Sequence, residues 1–133
     1  MPYLIAFLAG ALVFAVLDAV FITQIALPAY EATVPHLMAE DVNWPAAILF
    51  YVGYVAGVIW LVVRPARLHG WGWGMVLGQA AVLGLVGYGT FALTSMAVLE
   101  GWSWELVLTD TLWGAVASVA IAVSGLLAAR RFG

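Results

Sequence analysis

The chain has 133 residues, of which 66% are hydrophobic and only 8% charged, and 7 acidic against 4 basic residues give a formal net charge of −3. A soluble domain carries about 25% charged residues, so this chain has too few to cover a water-exposed surface, in keeping with a mean hydropathy of +1.11. Without cysteine it has no disulfide, thiol nucleophile or thiolate metal site, and four arginines with no lysine leave no polybasic tail for nucleic acid.

The first apolar stretch covers residues 3–27. It is longer than the apolar region of a signal peptide and lacks a basic lead-in, so it is expected to be a retained membrane helix. Pro28 and Pro35 punctuate the loop that follows, because proline lacks an N–H and its ring clashes with the preceding turn. Asn43-Trp44-Pro45 reads as a helix start, with the asparagine as cap and the proline in the first turn. The second stretch covers 46–63 and is closed by Pro65. Gly72 and Gly74 loosen the link into the third, 75–99, which Glu100-Gly101 ends. Ser103 and Glu105 open the fourth, 106–128, with the glutamate suited to the positive end of the helix dipole. Each stretch is near or above the roughly 20 residues needed to cross the hydrocarbon, and none alternates as a barrel strand would. The expected fold is all-α: one transmembrane domain, residues 1–133, built as a bundle of four membrane-spanning helices.

Charge orients the bundle. Arg64 and Arg67 follow the second stretch, and Arg130 and Arg131 follow the fourth; the opposite loops carry Glu31, Glu40, Asp41, Glu100 and Glu105. The positive-inside rule then places both termini in the cytoplasm. Small residues recur at helical spacing: Gly53 and Gly57, Gly74 and Gly78, Ala11, Ala15 and Ala19, and a fourth-stretch face of Asp110, Gly114, Ala117, Ser118 and Gly125. Such faces let backbones approach in lipid, within one bundle, in a homo-oligomer or against a larger membrane complex.

Two acids lie inside these stretches with no basic residue beside them: Asp18 and Asp110. A carboxylate in hydrocarbon is costly and marks a functional-site candidate. Asp18 lies about 13 Å below one end of its helix and Asp110 about 8 Å below the same membrane face. Thr23, Gln24, Tyr51, Tyr54, Thr90, Thr94, Ser95 and Trp113 fall in that layer, with Tyr88 closer to mid-membrane. Together they outline a polar cavity suited to a lipid headgroup, a small polar molecule or a proton. Two plainer readings stand beside this one. Asp110 is a cap or first-turn residue if the fourth helix starts late, and Asp18 is a structural hydrogen-bond acceptor for a neighbouring helix.

No enzyme motif accompanies the acids. There is no metal-binding H-E-x-x-H, phosphate loop, nucleotide fingerprint or nucleophile elbow, no intramembrane His or Lys to activate a serine, and His36 and His69 fall in opposite-side loops. No catalytic residue, cofactor or metal ligand is therefore assigned. The leading expectation is a non-catalytic lipid-binding or accessory protein with membrane lipid as its partner. The alternatives are a proton-coupled small-solute transporter working as an oligomer, an intramembrane enzyme of lipid metabolism using the paired carboxyls, and a structural subunit.

Several separated motifs share one resemblance. Asn43-Trp44-Pro45-Ala46-Ala47-Ile48-Leu49-Phe50-Tyr51 with Tyr54 and Gly57, the Leu17-Asp18 pair, Leu93-Thr94, Leu99-Glu100-Gly101-Trp102, and Asp110 with Trp113-Gly114 resemble, in order, an uncharacterised bacterial membrane family catalogued as domain of unknown function 2177. The resemblance implies four membrane helices in the inner (plasma) membrane of a bacterium, and no established reaction. It also exposes a departure: where that family typically has Tyr-Asp-Leu-Thr-Asn, this chain has Phe91-Ala92-Leu93-Thr94-Ser95 and lacks a third intramembrane acid.

Overall fold

A computed structural model describes all 133 residues. Four helices form an all-α bundle, α1 (Pro2–Thr33), α2 (Trp44–His69), α3 (Trp73–Val98) and α4 (Trp104–Phe132), each long and apolar enough to cross a membrane. Their ends have local causes. The Asn43 side chain accepts the Ala46 N–H at 3.2 Å, with Pro45 in the first turn of α2. Gly70, at φ 65°, takes the left-handed conformation that stops α2 and that a Cβ would disfavour. Ser103 accepts the Leu106 N–H at 3.2 Å to start α4; Glu105 lies in its first turn and Arg130 and Arg131 in its last, so charge opposes the dipole at both ends.

Two prolines behave differently from their expected roles. Pro28 does not end α1, which continues to Thr33, and Pro65 does not end α2, which continues to His69. Each is preceded by one widened π-helical turn, Ile22–Ala26 and Ile59–Val63. The wider turn draws the clashing carbonyl away from the proline ring and removes the demand for its absent N–H, so the helix passes through. Thr23 supports the first of these turns, its hydroxyl donating to the Ala19 carbonyl at 2.8 Å.

The four crossings bring both termini to one side, and a Cβ placed on Gly133 would lie 2.7 Å from Pro2 Cβ. All four arginines gather at this end and the loop acids at the other, so the two are called here the arginine end and the acidic end. α4 lies between α1 and α3 and packs closely against both. Its face of Asp110, Gly114, Ala117, Ser118 and Gly125 is buried along its whole length. A Cβ on Gly84 of α3 would run into the Gly114 carbonyl, and one on Gly114 would lie 2.5 Å from the Tyr88 side chain. Here the two backbones touch, and packing supplies the attraction that the hydrophobic effect does not provide in lipid. The repeats at Gly53/Gly57 and Gly74/Gly78 do not act this way. Nothing lies within 4 Å of a Cβ at any of the four, so those faces look outward.

The bundle is dense at the arginine end and hollow at the other. Its main core joins Ala6 and Phe14 of α1, Val55 to Ala66 of α2, Val76 and Ala80 of α3, and Ala117 to Ala129 of α4. Toward the acidic end, α2 leans away from α3. The backbones of Trp44–Val58 and α3 come close at few points, and aromatic rings span between them, whereas the next turn of α2, Ile59–Val63, packs on α3. Small residues close one half of the bundle, and bulky aromatics hold the other half apart.

Candidate functional site

The space behind the splayed half of α2 is a cavity of about 380 Å³. All four helices wall it. α1 supplies Asp18, Phe21, Ile22, Ala26 and Tyr30, α2 Phe50 and Tyr54, α3 Gly87, Tyr88 and Phe91, and α4 Asp110 and Trp113. Asp18 and Asp110 are each 6% exposed, and both border this one space. Asp110 lies in the second turn of α4, which begins at Trp104, so it does not cap the helix.

Each acid is held by aromatic donors from other helices. Asp18 accepts the Trp113 indole N–H at 2.9 Å through one oxygen and the Tyr51 hydroxyl through the other. Asp110 accepts the Tyr30 hydroxyl through Oδ2. Three interhelical ties result: α4 to α1, α2 to α1, and α1 back to α4. Phe21 stacks on Trp113 with ring centroids 4.5 Å apart and planes 6° from parallel, which fixes the direction of the indole N–H. The Tyr54 and Ser118 hydroxyls bond to each other and join α2 to α4. Tyr54 also meets the edge of Tyr88 at 5.5 Å. Nearer the acidic end, the Trp102 ring packs against Tyr30 at 5.4 Å and Phe91 at 5.9 Å.

The remaining wall is apolar, and the cavity has a side opening. Phe50, Gly87 and Phe91 are exposed as well as lining, and they belong to the two helices that diverge, α2 and α3. The opening therefore lies on the side of the bundle, between α2 and α3. A Cβ at Gly87 would sit 3.5 Å from the Tyr54 ring, so a larger side chain there would stand in the doorway.

Of the sequence candidates, Asp18, Tyr54, Asp110 and Trp113 line the cavity, and Tyr51 reaches it through its bond to Asp18. Thr23, Gln24, Thr90 and Thr94 do not line it; all four are exposed. Thr23 and Gln24 stand a third of a turn or more around α1 from Asp18, and the Thr90 hydroxyl turns back to the Val86 carbonyl at 2.6 Å. Thr94 lies about one turn past Phe91 on α3 and is not among the lining residues. Ala92 is fully buried and outside the wall, so no third acid reaches the space from that position.

Sequence reasoning missed Tyr30, Phe21, Phe50 and Phe91, and it placed Tyr88 only near the layer. The available signal for Tyr30 was a tyrosine just past a proline in an otherwise unbroken apolar run. No three His, Asp or Glu side chains come together as a metal-ligand set.

A family model described as Predicted membrane protein (DUF2177) matches residues 3–127. No curated protein and no solved structure matches the chain.

Proposed function

The chain belongs to the family described as Predicted membrane protein (DUF2177), and on that premise we propose that it is a non-catalytic, lipid-binding or accessory membrane protein whose cavity receives the polar end of an amphiphile. The observation that carries this reading is the cavity itself. Its volume of about 380 Å³ falls within the range of small-molecule sites, and it opens sideways between two membrane helices. Aromatic and aliphatic surface suits a chain, while Asp110 and the Tyr88 hydroxyl offer polar partners to a headgroup. Neither Cys nor a metal-ligand cluster is present to support a catalytic alternative.

A shared cavity is also what an acid–base pair would need. The hydrogen bonds argue for the structural role, because both oxygens of Asp18 are already occupied by Trp113 and Tyr51. A proton-transfer group needs an accessible oxygen in reach of its substrate.

By the positive-inside rule the arginine end is cytoplasmic, both termini lie inside, and the cavity opens to the outer leaflet of the plasma membrane. The lack of native cysteine makes orientation directly testable: single cysteines at Glu40 and Arg131 should react with an impermeant maleimide from opposite sides, Glu40→Cys from outside intact cells.

The function is tested by native mass spectrometry of protein extracted in mild detergent. Wild type should carry one co-purifying amphiphile per chain, lost in Asp110→Asn and in Gly87→Trp. Folded wild-type protein that emerges without any bound amphiphile, across several detergents, would overturn the proposal.

A further inference from the structure

A second lipid-shaped feature lies at the opposite end of the molecule and shares no residue with the cavity. A groove of about 180 Å³ runs between α1 and α2, lined by Tyr3, Phe7, Ala56, Ile59, Trp60 and Arg64. Its long dimension follows the helices. Ala56 is eight residues before Arg64 on α2, so the groove reaches about 12 Å into the hydrocarbon from the arginine end. The walls are apolar along this length, and the cationic group stands only at the mouth.

Arg64 is placed there by its own helix. Its guanidinium stacks 4.1 Å over the Trp60 ring, one turn earlier, across the widened turn Ile59–Val63. Arg67, one turn further, lies 5.6 Å over the ring of Tyr3, the residue that forms the opposite lip of the groove. Its Nε and Nη1 are buried and donate to no protein acceptor, an uncommon state for buried donors. No acidic side chain stands near enough to neutralise this charge. All seven acids lie at positions 18, 31, 40, 41, 100, 105 and 110, and the nearest along α1, Asp18, is fifteen residues from Tyr3, about 22 Å along the axis.

From charge complementarity and shape together, we propose that this groove binds an anionic phospholipid of the leaflet at the arginine end. Its phosphate sits on Arg64, within the field of Arg67, and one acyl chain lies along Phe7, Ala56 and Trp60. Arginine suits the phosphate because its planar fork donates two parallel hydrogen bonds. The lipid supplies the counter-charge that the bundle lacks and fills the seam between α1 and α2.

The test uses the full chain equilibrated in mixed phosphatidylglycerol–phosphatidylcholine nanodiscs, released, and weighed by native mass spectrometry. Wild type should retain one phosphatidylglycerol about fivefold in preference to phosphatidylcholine, the effect of one arginine near a charged headgroup. Arg64→Gln should abolish the preference, Ala56→Trp should expel both lipids from the groove, and the pair Arg130→Gln with Arg131→Gln, at the same membrane face, should leave the preference intact. Preference that survives Arg64→Gln, or falls equally in the Arg130/Arg131 variant, would overturn the site in favour of diffuse surface charge. A measurement on unaltered protein guards against a variant that fails to fold. Phosphatidylglycerol bearing a photoreactive acyl chain should label Phe7, Ala56 or Trp60, and labelling spread evenly over the lipid-facing surface would equally sink the proposal. None of these variants touches the cavity, so the two lipid sites stand or fall separately.

Discussion

The indole N–H of Trp113 points at Asp18 from 2.9 Å, across the seam between the last helix and the first. Ninety-five residues separate them in the chain, yet this one bond fixes the rotation of α1 against α4 at the level of the cavity. Phe21 completes it by stacking on the same indole.

The bond should be measurable as a coupling. Asp18→Ala leaves the Trp113 N–H and the Tyr51 hydroxyl without an acceptor in a water-poor region. Equilibrium unfolding in mixed micelles should show a loss of about 1–2 kcal/mol. Asp18→Asn, which keeps one acceptor oxygen, should lose less. A double-mutant cycle of Asp18→Ala with Trp113→Phe should return a coupling of about 0.5–1.5 kcal/mol, and strict additivity would show that the bond contributes nothing to the fold.

The contact between Gly84 and Gly114 gives a sharper contrast. Gly84→Ala drives a methyl into the Gly114 carbonyl and must part α3 from α4, at a cost of about 1–3 kcal/mol. Gly78→Ala on the same helix meets nothing within 4 Å and should leave the unfolding midpoint unchanged or slightly raised. Equal effects at the two glycines would contradict the packing described for α3.

Tyr30 anchors the last turns of α1 by its bond to Asp110. In Tyr30→Phe the amides of Leu27–Thr33 should exchange with deuterium about tenfold faster, since the loss of a hydrogen bond to a charged group is worth about 1.5 kcal/mol or more. Exchange in the core half of α4 should not change. Unchanged protection at Leu27–Thr33 would mean that this segment is held by other contacts.

Gly87 tests the doorway without disturbing the floor. Ala fits there, because its Cβ makes an ordinary 3.5 Å contact with Tyr54. Trp reaches across the gap between α2 and α3. Gly87→Ala should keep the co-purifying amphiphile, while Gly87→Trp should lose it at least tenfold with unfolding unaffected. Retention in Gly87→Trp would place the entrance elsewhere.

The four helices were legible because hydrocarbon imposes one requirement on every residue that crosses it, and long apolar runs satisfy that requirement visibly. Their pairing was not. Gly53/Gly57 and Gly84 look alike as letters, and only the direction each face takes tells a lipid-facing glycine from one pressed on Gly114. The site divides the same way. Asp18, Asp110, Tyr51, Tyr54 and Trp113 stood out because polar or amphipathic groups are rare at that depth. Thr23 and Thr90 stood out for the same reason, but a hydroxyl in a helix can satisfy itself on the carbonyl one turn back, as both do. Phe50 and Phe91 gave no signal at all, being ordinary lipid-facing residues until α2 leans away.

The widened turn at Ile22–Ala26 has a consequence for the register of α1. In a regular α-helix Tyr30, twelve residues past Asp18, would point about 120° away from it, a third of a turn around the axis. The wider turn advances less per residue and brings both side chains onto the same cavity wall. The extra residue in that turn acts as a shim. Removing its cause, as in Pro28→Ala, would let all twelve residues wind evenly and rotate Tyr30 off Asp110. Such a chain would remain as apolar as before and would still insert, yet one of its two carboxyl latches would be undone by a change in phase alone.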